Sequence, residues 1–291
     1  MILQAIRVFK ELQPNDFKLL AAVERWMRRY EFVPAERLSA FSKLSPKDTS
    51  YFLSRLNKLG LMTSQTVGHV GYKLLPPGHD ALALKALVDH DVLQAFGSPL
   101  GIGKEADIYD ALAPDGVKVA VKFNRLGRTS FTQVRRLRSY ATKHDWMYIS
   151  RTAAAREFEV LQKLYPHVSV PRPIALEKHV LVMSLIDGAE LAKVKKVAAP
   201  KTVLADVLEN VRKTYQLGVV HADLSEHNII IEPNGEILII DWPQYVPAHQ
   251  PRAREMLERD VANVLKYFRR KFKITLDPAQ TLKSITSAQS V

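Results

Sequence analysis

The decisive stretch of this sequence is His221-Ala222-Asp223-Leu224-Ser225-Glu226-His227-Asn228, and Asp241 follows it at close range. Isoleucine-rich runs at 229–231 and 237–240 enclose a Pro-Asn-Gly turn, a pattern typical of a β-hairpin. A hairpin brings its two strand ends to one edge, so we expect Asp223, Asn228 and Asp241 to converge there. The alternative is that these three residues only cap a tight hairpin and a short helix.

Two carboxylates and one amide at such an edge suit a magnesium ion and a phosphate group. Magnesium takes hard oxygen ligands and usually receives only one or two of them from protein. The Asp-x4-Asn spacing, with a second aspartate after the next strand, matches the requirements of phosphoryl transfer. We therefore expect Asp223 to be the base or positioning carboxylate, and Asn228 and Asp241 to hold the metal. His221 is expected to brace the loop rather than to transfer protons.

The composition restricts the class of protein. The chain has 291 residues, of which 47% are apolar and 25% are charged, as in soluble globular proteins. No apolar run approaches the length of a membrane span and the amino terminus lacks a signal-peptide pattern, so we expect a cytoplasmic protein. The absence of cysteine excludes disulfides, thiolate zinc sites and a cysteine nucleophile. A net charge of +12 favours a polyanionic partner such as nucleic acid.

Residues 1–75 are predicted to form a winged helix-turn-helix domain. Apolar residues recur at helical spacing in three segments, and the third segment begins with a capping box at Ser45. Two short extended pieces on either side of Gly68 then supply the wing. The third helix would present Lys47 and Lys58 to solvent, which suits a nucleic-acid groove, although winged helices also bind proteins.

A second domain is predicted to follow a break in the chain at Pro76-Pro77-Gly78. We assign residues 76–96 to a linker helix, residues 97–186 to the first lobe of a two-lobed domain, and residues 187–291 to its second lobe. The first lobe opens with a glycine-containing hairpin loop, which lets backbone amides approach phosphates. The residues expected to contact phosphate in that loop are Gly101, Gly103, Lys104 and Glu105.

Lys122 emerges from an apolar strand at 117–123, which indicates a buried anionic partner. In kinases a lysine in this position pairs with the α- and β-phosphates and with a glutamate on a helix. Helical geometry selects Glu157 as that glutamate, because it shares a face with apolar residues three and four positions away. Glu159 points away from that face and is the alternative.

Between Lys122 and Glu157 lies a strongly basic segment, 124–151, which contains a single acidic residue. Its cations could follow a phosphate backbone, and the alternative is a mobile, solvated insertion. We favour a ribonucleoprotein contact, because so long an insertion is rarely only a connection. The arginines that we assign to nucleic-acid binding are Arg128, Arg135, Arg136 and Arg138. Farther along, the segment that joins the two lobes could bond an adenine through its backbone, and we assign Met183, Leu185 and Ile186 to that role.

Taken together, these motifs resemble the RIO family of atypical protein kinases, specifically its second subfamily, which carries an amino-terminal winged helix. The matching stretches are Gly101-Ile102-Gly103-Lys104-Glu105, Val119-Ala120-Val121-Lys122, Arg156-Glu157-Phe158, the stretch from His221 to Asn228, and Ile240-Asp241-Trp242-Pro243-Gln244. The resemblance implies an α+β fold, in which a winged helix precedes a bilobal kinase-like domain without a conventional activation segment.

The resemblance also implies an activity and its partners. It implies ATP with magnesium or manganese, serine autophosphorylation or ATP hydrolysis, and a role in maturation of the small ribosomal subunit and its rRNA. It further implies that Asp241 becomes transiently phosphorylated. Two residues depart from the family pattern: Ala106 stands where serine is frequent, and Trp242 replaces a phenylalanine.

Two other functions fit parts of the sequence. Small-molecule phosphotransferases of the aminoglycoside or choline type share the His-x-Asp-x4-Asn pattern and the later aspartate, but they have no need of a winged helix or an arginine-rich insertion. A nucleic-acid-binding assembly factor with a vestigial ATP site would share the basic features and lack turnover. Retention of every phosphate-handling residue argues against that second alternative.

Overall fold

A computed structural model describes residues 2–67, 69–125 and 146–287 of the chain. These residues form two compact units. The first contains residues 2–117 and Trp146, and the second contains residues 118–125 and 147–287. No helix in the described ranges combines the length and the apolar character that a membrane span requires.

The first unit consists of five helices, a small three-stranded sheet and a longer hairpin. The helices are α1 (Ile2–Phe9), α2 (Pro14–Trp26), α3 (Ala35–Ser42), α4 (Pro46–Lys58) and α5 (Pro76–Asp89). The strands of the small sheet are β1 (Val33–Pro34), β2 (Met62–Val67) and β3 (His69–Leu74), in the order β1-β3-β2 and antiparallel throughout. The hairpin pairs β4 (Ala95–Ile102) with β5 (Ala106–Leu112).

Local sequence signals explain the start of α4. The hydroxyl oxygen of Ser45 accepts a hydrogen bond from the backbone N–H of Asp48 at 3.1 Å, and Pro46 occupies the first helical turn. These are the features that the capping pattern predicted. In contrast, α1 was not predicted from the sequence. Its residues Ile2, Ala5 and Val8 are buried, so packing within the unit stabilises a helix that is too short to be stable alone.

The predicted break at Pro76-Pro77-Gly78 is wrong, because these residues form the first turn of α5. Proline is tolerated there, since the N–H group that it lacks would have no helical partner. Gly78 is required by packing, because a Cβ atom would lie 2.3 Å from the carbonyl oxygen of Leu61. The helix ends at Asp89 rather than near residue 96, because the chain has entered β4 by Ala95.

The second unit combines three antiparallel strands with hairpins and four helices. The strands β6 (Lys118–Asn124), β7 (Pro173–Glu177) and β8 (Val180–Ser184) pair in the order β6-β8-β7. The helices are α6 (Trp146–Leu164), α7 (Pro200–Gln216), α8 (Ala253–Phe272) and α9 (Pro278–Thr286), and only the first residue of α6 belongs to the first unit. The remaining strands are β9 (Ala189–Glu190), β10 (Val219–Val220), β11 (Ile229–Ile231), β12 (Ile237–Ile239) and β13 (Val246–Pro247).

The core of the second unit is apolar and holds a few charged groups. Val121, Phe123 and Val182 are completely buried in the sheet, and Phe268 is completely buried on α8. The predicted isoleucine hairpin is confirmed, since β11 and β12 are antiparallel with Ile229 opposite Ile239. β11 also pairs with β9 in a three-stranded sheet.

The sequence of residues 168–173 also predicts a strand, but this prediction is wrong, because β7 begins only at Pro173. Val168 and Val170 are buried as an extended segment would require. However, the backbone N–H of Ser169 donates to the side chain of Asn210 at 2.7 Å, and its carbonyl accepts from Ile239. One backbone group of Ser169 is therefore satisfied by a side chain and the other by a residue of β12.

Candidate active site

The hairpin of β11 and β12 brings the predicted metal ligands to one end. The backbone N–H of Ile240 donates to the carbonyl of Asn228 at 2.9 Å, which closes the hairpin as far as the residue before Asp241. The side-chain nitrogen of Asn228 then donates to the carbonyl of Asp223 at 2.8 Å. Asp241 has a φ of 68°, in the left-handed region, so the chain turns sharply at this residue.

The side chain of Lys122, on β6, forms an ion pair with Asp241, which follows this hairpin. Its Nζ atom lies 2.7 Å from Oε1 of Glu157 and 2.8 Å from Oδ1 of Asp241. The side chains of Lys122 and Glu157 are 5% and 2% exposed, whereas that of Asp241 is 45% exposed. Glu159 is exposed, so the structure brings Glu157 and not Glu159 to the lysine. We call Lys122, Glu157 and Asp241 the lysine cluster.

Charge pairing determines the protonation of the lysine cluster. Burial alone would lower the pKa of Lys122, but the carboxylates of Glu157 and Asp241 outweigh it and hold that pKa above its ordinary value. Lys122 in turn lowers the pKa of Asp241. Burial raises the pKa of Glu157, although Lys122 opposes this effect. At neutral pH the cluster therefore presents a protonated lysine and an ionised, partly exposed Asp241.

His221 is buried and braces the loop. Its Nε2 atom lies 3.0 Å from the carbonyl oxygen of Ile240, and its Nδ1 atom lies 3.3 Å from the backbone nitrogen of Asp223. A carbonyl can only accept and an N–H can only donate, so both bonds form only with the neutral tautomer protonated at Nε2. Burial lowers the pKa of His221 to about 4. Trp242 packs against the imidazole, with ring centroids 4.4 Å apart.

A side chain of helix α8 forms hydrogen bonds with the backbone on both sides of Asp223. The carboxylate of Asp260 accepts from the N–H of Ala222 at 2.7 Å and from the N–H of Leu224 at 3.0 Å. Asp260 is 1% exposed, and burial raises its pKa to about 6. The carboxylate therefore satisfies two buried donors that would otherwise be left without partners.

Two neighbours on α8 hold the corresponding carbonyls. Arg259 donates to the carbonyl of Ala222, and Asn263 donates to the carbonyl of Leu224 at 3.2 Å. We call Arg259, Asp260 and Asn263 the α8 clamp. All four backbone polar groups of residues 222 and 224 are thereby fixed, and Ala222 is held at a φ of 67°.

The α8 clamp was not predicted from the sequence. One signal was present, because Asp260 lies within the buried apolar face of α8, beside Leu257, Val261 and Val264. A carboxylate at such a position needs hydrogen-bond partners. The sequence gives no indication of which backbone groups those partners are.

Asp223 itself is exposed, in contrast to the residues that hold it. Partial burial raises the pKa of its carboxyl group, the charge of Arg259 opposes this, and the charge of Asp241 adds to it. Its carbonyl is bound by Asn228 and its N–H faces His221. The backbone is thus fixed while the carboxylate stays accessible, as a base or positioning group requires.

The oxygen atoms at the end of the hairpin fit magnesium. Asn228 uses its side-chain nitrogen in a hydrogen bond, so its Oδ1 atom is the one that would serve as a ligand. Asp241 contributes a partly exposed carboxylate. Among the described residues there is no group of three or more His, Cys, Asp or Glu that could hold a metal alone. One or two protein ligands completed by phosphate and water are typical of magnesium bound with a nucleotide.

The glycine loop belongs to the first unit. Gly101 is exposed, and a Cβ atom added there would meet no atom within 4 Å. The backbone N–H of Gly103 donates to the carbonyl of Ala106 at 2.9 Å and closes a tight turn. Lys104 and Glu105 are exposed in this turn. The loop therefore has backbone that a phosphate could approach closely.

The residues predicted to contact adenine follow β8 in the second unit. Met183 is 9% exposed, and Leu185 and Ile186 are half-buried. Gly188 is required just beyond them, because a Cβ atom would lie 2.7 Å from the side chain of Ile230 and from the carbonyl oxygen of Ile231. The segment is therefore held closely against the hairpin that positions Asn228.

The residues predicted to bind nucleic acid are divided between two places. Lys47 and Lys58 are exposed on α4, as predicted. The four arginines of the basic segment that we assigned to nucleic-acid binding lie outside the described residues, namely Arg128, Arg135, Arg136 and Arg138.

Comparison with known proteins gives consistent results along the chain. The RIO domain family matches residues 107–281, and the Rio2 N-terminal family matches residues 9–90. The RIO-type serine/threonine-protein kinase Rio2 of Methanocaldococcus jannaschii is 42% identical over 256 residues, which cover 85% of this chain and 93% of that protein. The serine/threonine-protein kinase rio2 of Dictyostelium discoideum is 34% identical over 271 residues, and this chain spans about half (52%) of its length.

Two crystal structures of the Rio2 kinase from Chaetomium thermophilum are similar. Its ADP/Mg²⁺-phosphoaspartate complex superposes with a TM-score of 0.85 at 30% identity, over 97% of this chain and 89% of that one. A second structure of the same kinase gives a TM-score of 0.83 at 31% identity, over 96% and 88%. These matches confirm the predicted fold class, an amino-terminal winged helix followed by a kinase-like domain.

Proposed function

This chain belongs to the RIO family of serine/threonine-protein kinases and to its Rio2 subfamily, and on that premise we propose that it is an ATP-dependent serine protein kinase and ATPase. We propose that it phosphorylates itself and acts in maturation of the small ribosomal subunit. The observation that carries the proposal is the lysine cluster, in which Nζ of Lys122 lies within 2.8 Å of two carboxylates that are distant in sequence.

The proposed substrate is ATP with magnesium. The Rio2 kinase of C. thermophilum has been crystallised with ADP and Mg²⁺, and the donor set of the second unit is compatible with both. Lys122 would bind phosphate oxygens, while Asn228 and Asp241 would hold magnesium. When bound, magnesium would neutralise negative charge on the phosphates. The remaining proposed contacts are those to phosphate from Gly101, Gly103, Lys104 and Glu105, and those to adenine from Met183, Leu185 and Ile186.

Asp223 is proposed to accept or orient the proton of the attacking hydroxyl group. The α8 clamp and His221 hold its backbone, so its carboxylate would meet the nucleophile without reorganisation. The residues that act through Asp223 are therefore positioning residues.

Asp241 is the proposed acceptor of a transient phosphoryl group, since the C. thermophilum complex contains a phosphoaspartate. A carboxylate oxygen of Asp241 would attack the γ-phosphorus of ATP, and the bond from that phosphorus to the β,γ-bridging oxygen would break to release ADP. Water would then hydrolyse the aspartyl phosphate. The low pKa of Asp241 supports this role, because it keeps the carboxylate ionised.

A ribosomal partner is supported by charge and by family. The net charge of +12 suits rRNA, and Lys47 and Lys58 are exposed on a helix of the winged-helix type. We propose that this helix, together with the arginines of the basic segment, contacts rRNA, and that the protein acts in the cytoplasm. The domain bounds that we propose are 1–75, 76–96, 97–186 and 187–291.

The test of the proposed activity is Asp223→Asn, which keeps the size of the side chain and removes its charge. We expect ATP turnover to fall by ~10²–10⁴, with nucleotide affinity changed little. Asp206→Asn is the matched control, because Asp206 is exposed on α7, a helix that carries none of the proposed site residues. Equal turnover in the two variants would remove Asp223 from the mechanism.

The ribosomal role needs a separate measurement. ATP consumption by the purified chain is compared with and without small-subunit precursor particles, and stimulation by the particles is expected. Mature subunits serve as the control. An identical response to precursor and mature particles contradicts a role in maturation.

A further inference from the structure

Helix α8 has an exposed basic face that the active site does not use. Lys266, Arg269 and Arg270 are spaced i, i+3 and i+4, which places them on one side of the helix. Lys273 follows as the residue that caps the end of the helix. All four are exposed. Together they form the α8 basic face.

A second group of cations lies on a segment that is hydrogen-bonded to the C-terminal end of α8. Tyr267 donates its hydroxyl hydrogen to the carbonyl of Leu191 at 2.6 Å, and Lys271 donates to the carbonyl of Val194. These bonds hold the segment that contains three exposed lysines, Lys193, Lys195 and Lys196. Two stretches separated by about 70 residues in sequence thus contribute to one basic surface.

The charge of this surface is largely uncompensated. This surface combines eight cations with two carboxylates that pair with them, so its net charge is +6, half the +12 of the whole chain. The cations are residues 193, 195, 196, 266, 269, 270, 271 and 273. Glu190 pairs with Lys193 at 2.6 Å, and Glu226 pairs with Arg270 at 3.2 Å. Of these eight cations, four make neither a side-chain hydrogen bond nor an ion pair to any described residue, namely Lys195, Lys196, Lys266 and Arg269.

Helix chemistry alone does not explain this concentration of charge. Cations in the last turn of a helix are favoured by its dipole, which accounts for Arg269 and Arg270. Lys195 and Lys196 are not on a helix, and Lys266 lies before the last turn. Repulsion among unpaired like charges is unfavourable, so an anionic partner would stabilise this arrangement.

We propose that the α8 basic face and the lysines at 193–196 bind the phosphodiester backbone of a nucleic-acid strand. Nucleic-acid backbones are held mainly by lysine and arginine, whereas protein interfaces have an apolar core. No large hydrophobic side chain of residues 189–197 or 253–273 is strongly exposed, which favours the nucleic acid over an acidic protein. This assignment goes beyond the proposed function, because it gives the second unit a nucleic-acid site of its own.

The site lies beside the catalytic loop. Arg270 pairs with Glu226, three residues after Asp223, and the α8 clamp on the same helix holds residues 222 and 224. A strand bound along α8 would therefore lie next to the loop that carries Asp223.

The test uses the full chain and removes the four unpaired cations, as Lys195→Gln, Lys196→Gln, Lys266→Gln and Arg269→Gln. None of them belongs to the active site. The matched control removes four exposed cations elsewhere in the second unit, as Lys163→Gln, Lys201→Gln, Arg252→Gln and Lys283→Gln. The two variants have the same net charge, so any difference between them reports position.

The measurement is the affinity for single-stranded oligouridylate over a range of salt concentration. Each phosphate neutralised contributes about 0.7 to the slope of log K against log salt for a single strand. We expect the test variant to lose about 3 from the magnitude of that slope and the control to keep the slope of the unchanged protein. Equal slopes in the two variants overturn the proposal, because they show that only overall charge matters.

Two further arms identify the ligand and separate this proposal from the proposed function. An oligodeoxyribonucleotide replaces the RNA: equal slope losses indicate backbone recognition, and a loss confined to RNA assigns the site to RNA. Poly-glutamate is added as a competitor of the RNA. If it displaces the RNA from the unchanged protein and from the control variant but not from the test variant, the site binds acidic protein. That outcome contradicts the proposal. ATP turnover is measured in parallel, and its absence from all forms would contradict the proposed activity while leaving the slopes interpretable.

Discussion

Lys122 and Lys266 carry the same ammonium group, yet the second unit surrounds them in opposite ways. Lys122 is 4% exposed and touches two carboxylates, whereas Lys266 is exposed and makes no ion pair in the described part of the chain. A buried charge is tolerated only with partners that fix its position. An exposed charge needs no partner and contributes little to stability. The lysine cluster can therefore provide fixed geometry, and the α8 basic face can provide attraction to a polyanion.

The largest expected effect is on the lysine cluster. Lys122→Met leaves the buried carboxyl group of Glu157 without its cation, so the free energy of unfolding should fall by about 3–5 kcal/mol. Chemical denaturation at neutral pH measures this change. The double variant Lys122→Met with Glu157→Gln should recover part of the loss, because it removes the uncompensated charge. A single-variant loss below about 1 kcal/mol, as for surface pairs, would contradict the role of the cluster.

His221 should make stability depend on pH. Its pKa is lowered to about 4 in the folded protein, so its contribution is complete above the unfolded pKa of about 6.5 and is lost as pH falls toward 4. His221→Phe removes this titration and keeps a ring against Trp242. The stability advantage of the unchanged protein over this variant should shrink by about 3 kcal/mol between pH 7 and pH 4, as measured by denaturation at each pH. If the difference in free energy of unfolding between the two proteins did not depend on pH, His221 would not be buried in its neutral form.

Asp260 should show the opposite pH dependence. Its pKa is raised to about 6 in the folded protein, so its contribution is complete below the unfolded pKa of about 3.9 and is lost as pH rises through 6. Relative to Asp260→Asn, the unchanged protein should therefore lose about 3 kcal/mol of its advantage between pH 4 and pH 7. The same variant should lower ATP turnover, because the amide cannot accept from both backbone donors. If the difference in free energy of unfolding between the unchanged protein and the variant instead grew with pH, the pKa of Asp260 would be lowered rather than raised.

The smallest expected effect is on the α8 basic face. Removing Lys195, Lys196, Lys266 and Arg269 together should change the free energy of unfolding by no more than about 0.5 kcal/mol. Any change should be a slight stabilisation at low salt that disappears as salt is raised, since like charges are removed. Denaturation at two ionic strengths, with the control variant alongside, measures it. A loss of several kcal/mol would show that these cations form part of the packed structure.

Local pattern was sufficient for the elements that carry the lysine cluster. The isoleucine runs and the Pro-Asn-Gly turn predicted β11 and β12, because the β-branched character of a run and turn chemistry are properties of adjacent residues. Helical periodicity placed Glu157 on the buried face of α6. The breaker signal at Pro76-Pro77-Gly78 was misleading, because the two prolines that suggested a break instead begin α5.

Other parts of the molecule depend on contacts that no local pattern contains. Helix α1 is stabilised by its neighbours, and the bonds of Ser169 to Asn210 and Ile239 replace a predicted strand. The α8 clamp joins residues 36–39 positions apart in sequence. A buried Asp260 was detectable from its position among apolar residues, but its partners were not.

Residue spacing alone predicts the family, the hairpin with its aspartates, and the pairing of Lys122 with Glu157. These follow from spacing, because periodicity dictates which face of a helix or strand a side chain occupies. The three-dimensional packing adds two features that spacing does not predict: α8 holds the backbone around Asp223, and Lys193, Lys195 and Lys196 join the cations of α8. Both depend on hydrogen bonds between segments distant in sequence, and the packing of the whole unit determines which of those segments meet.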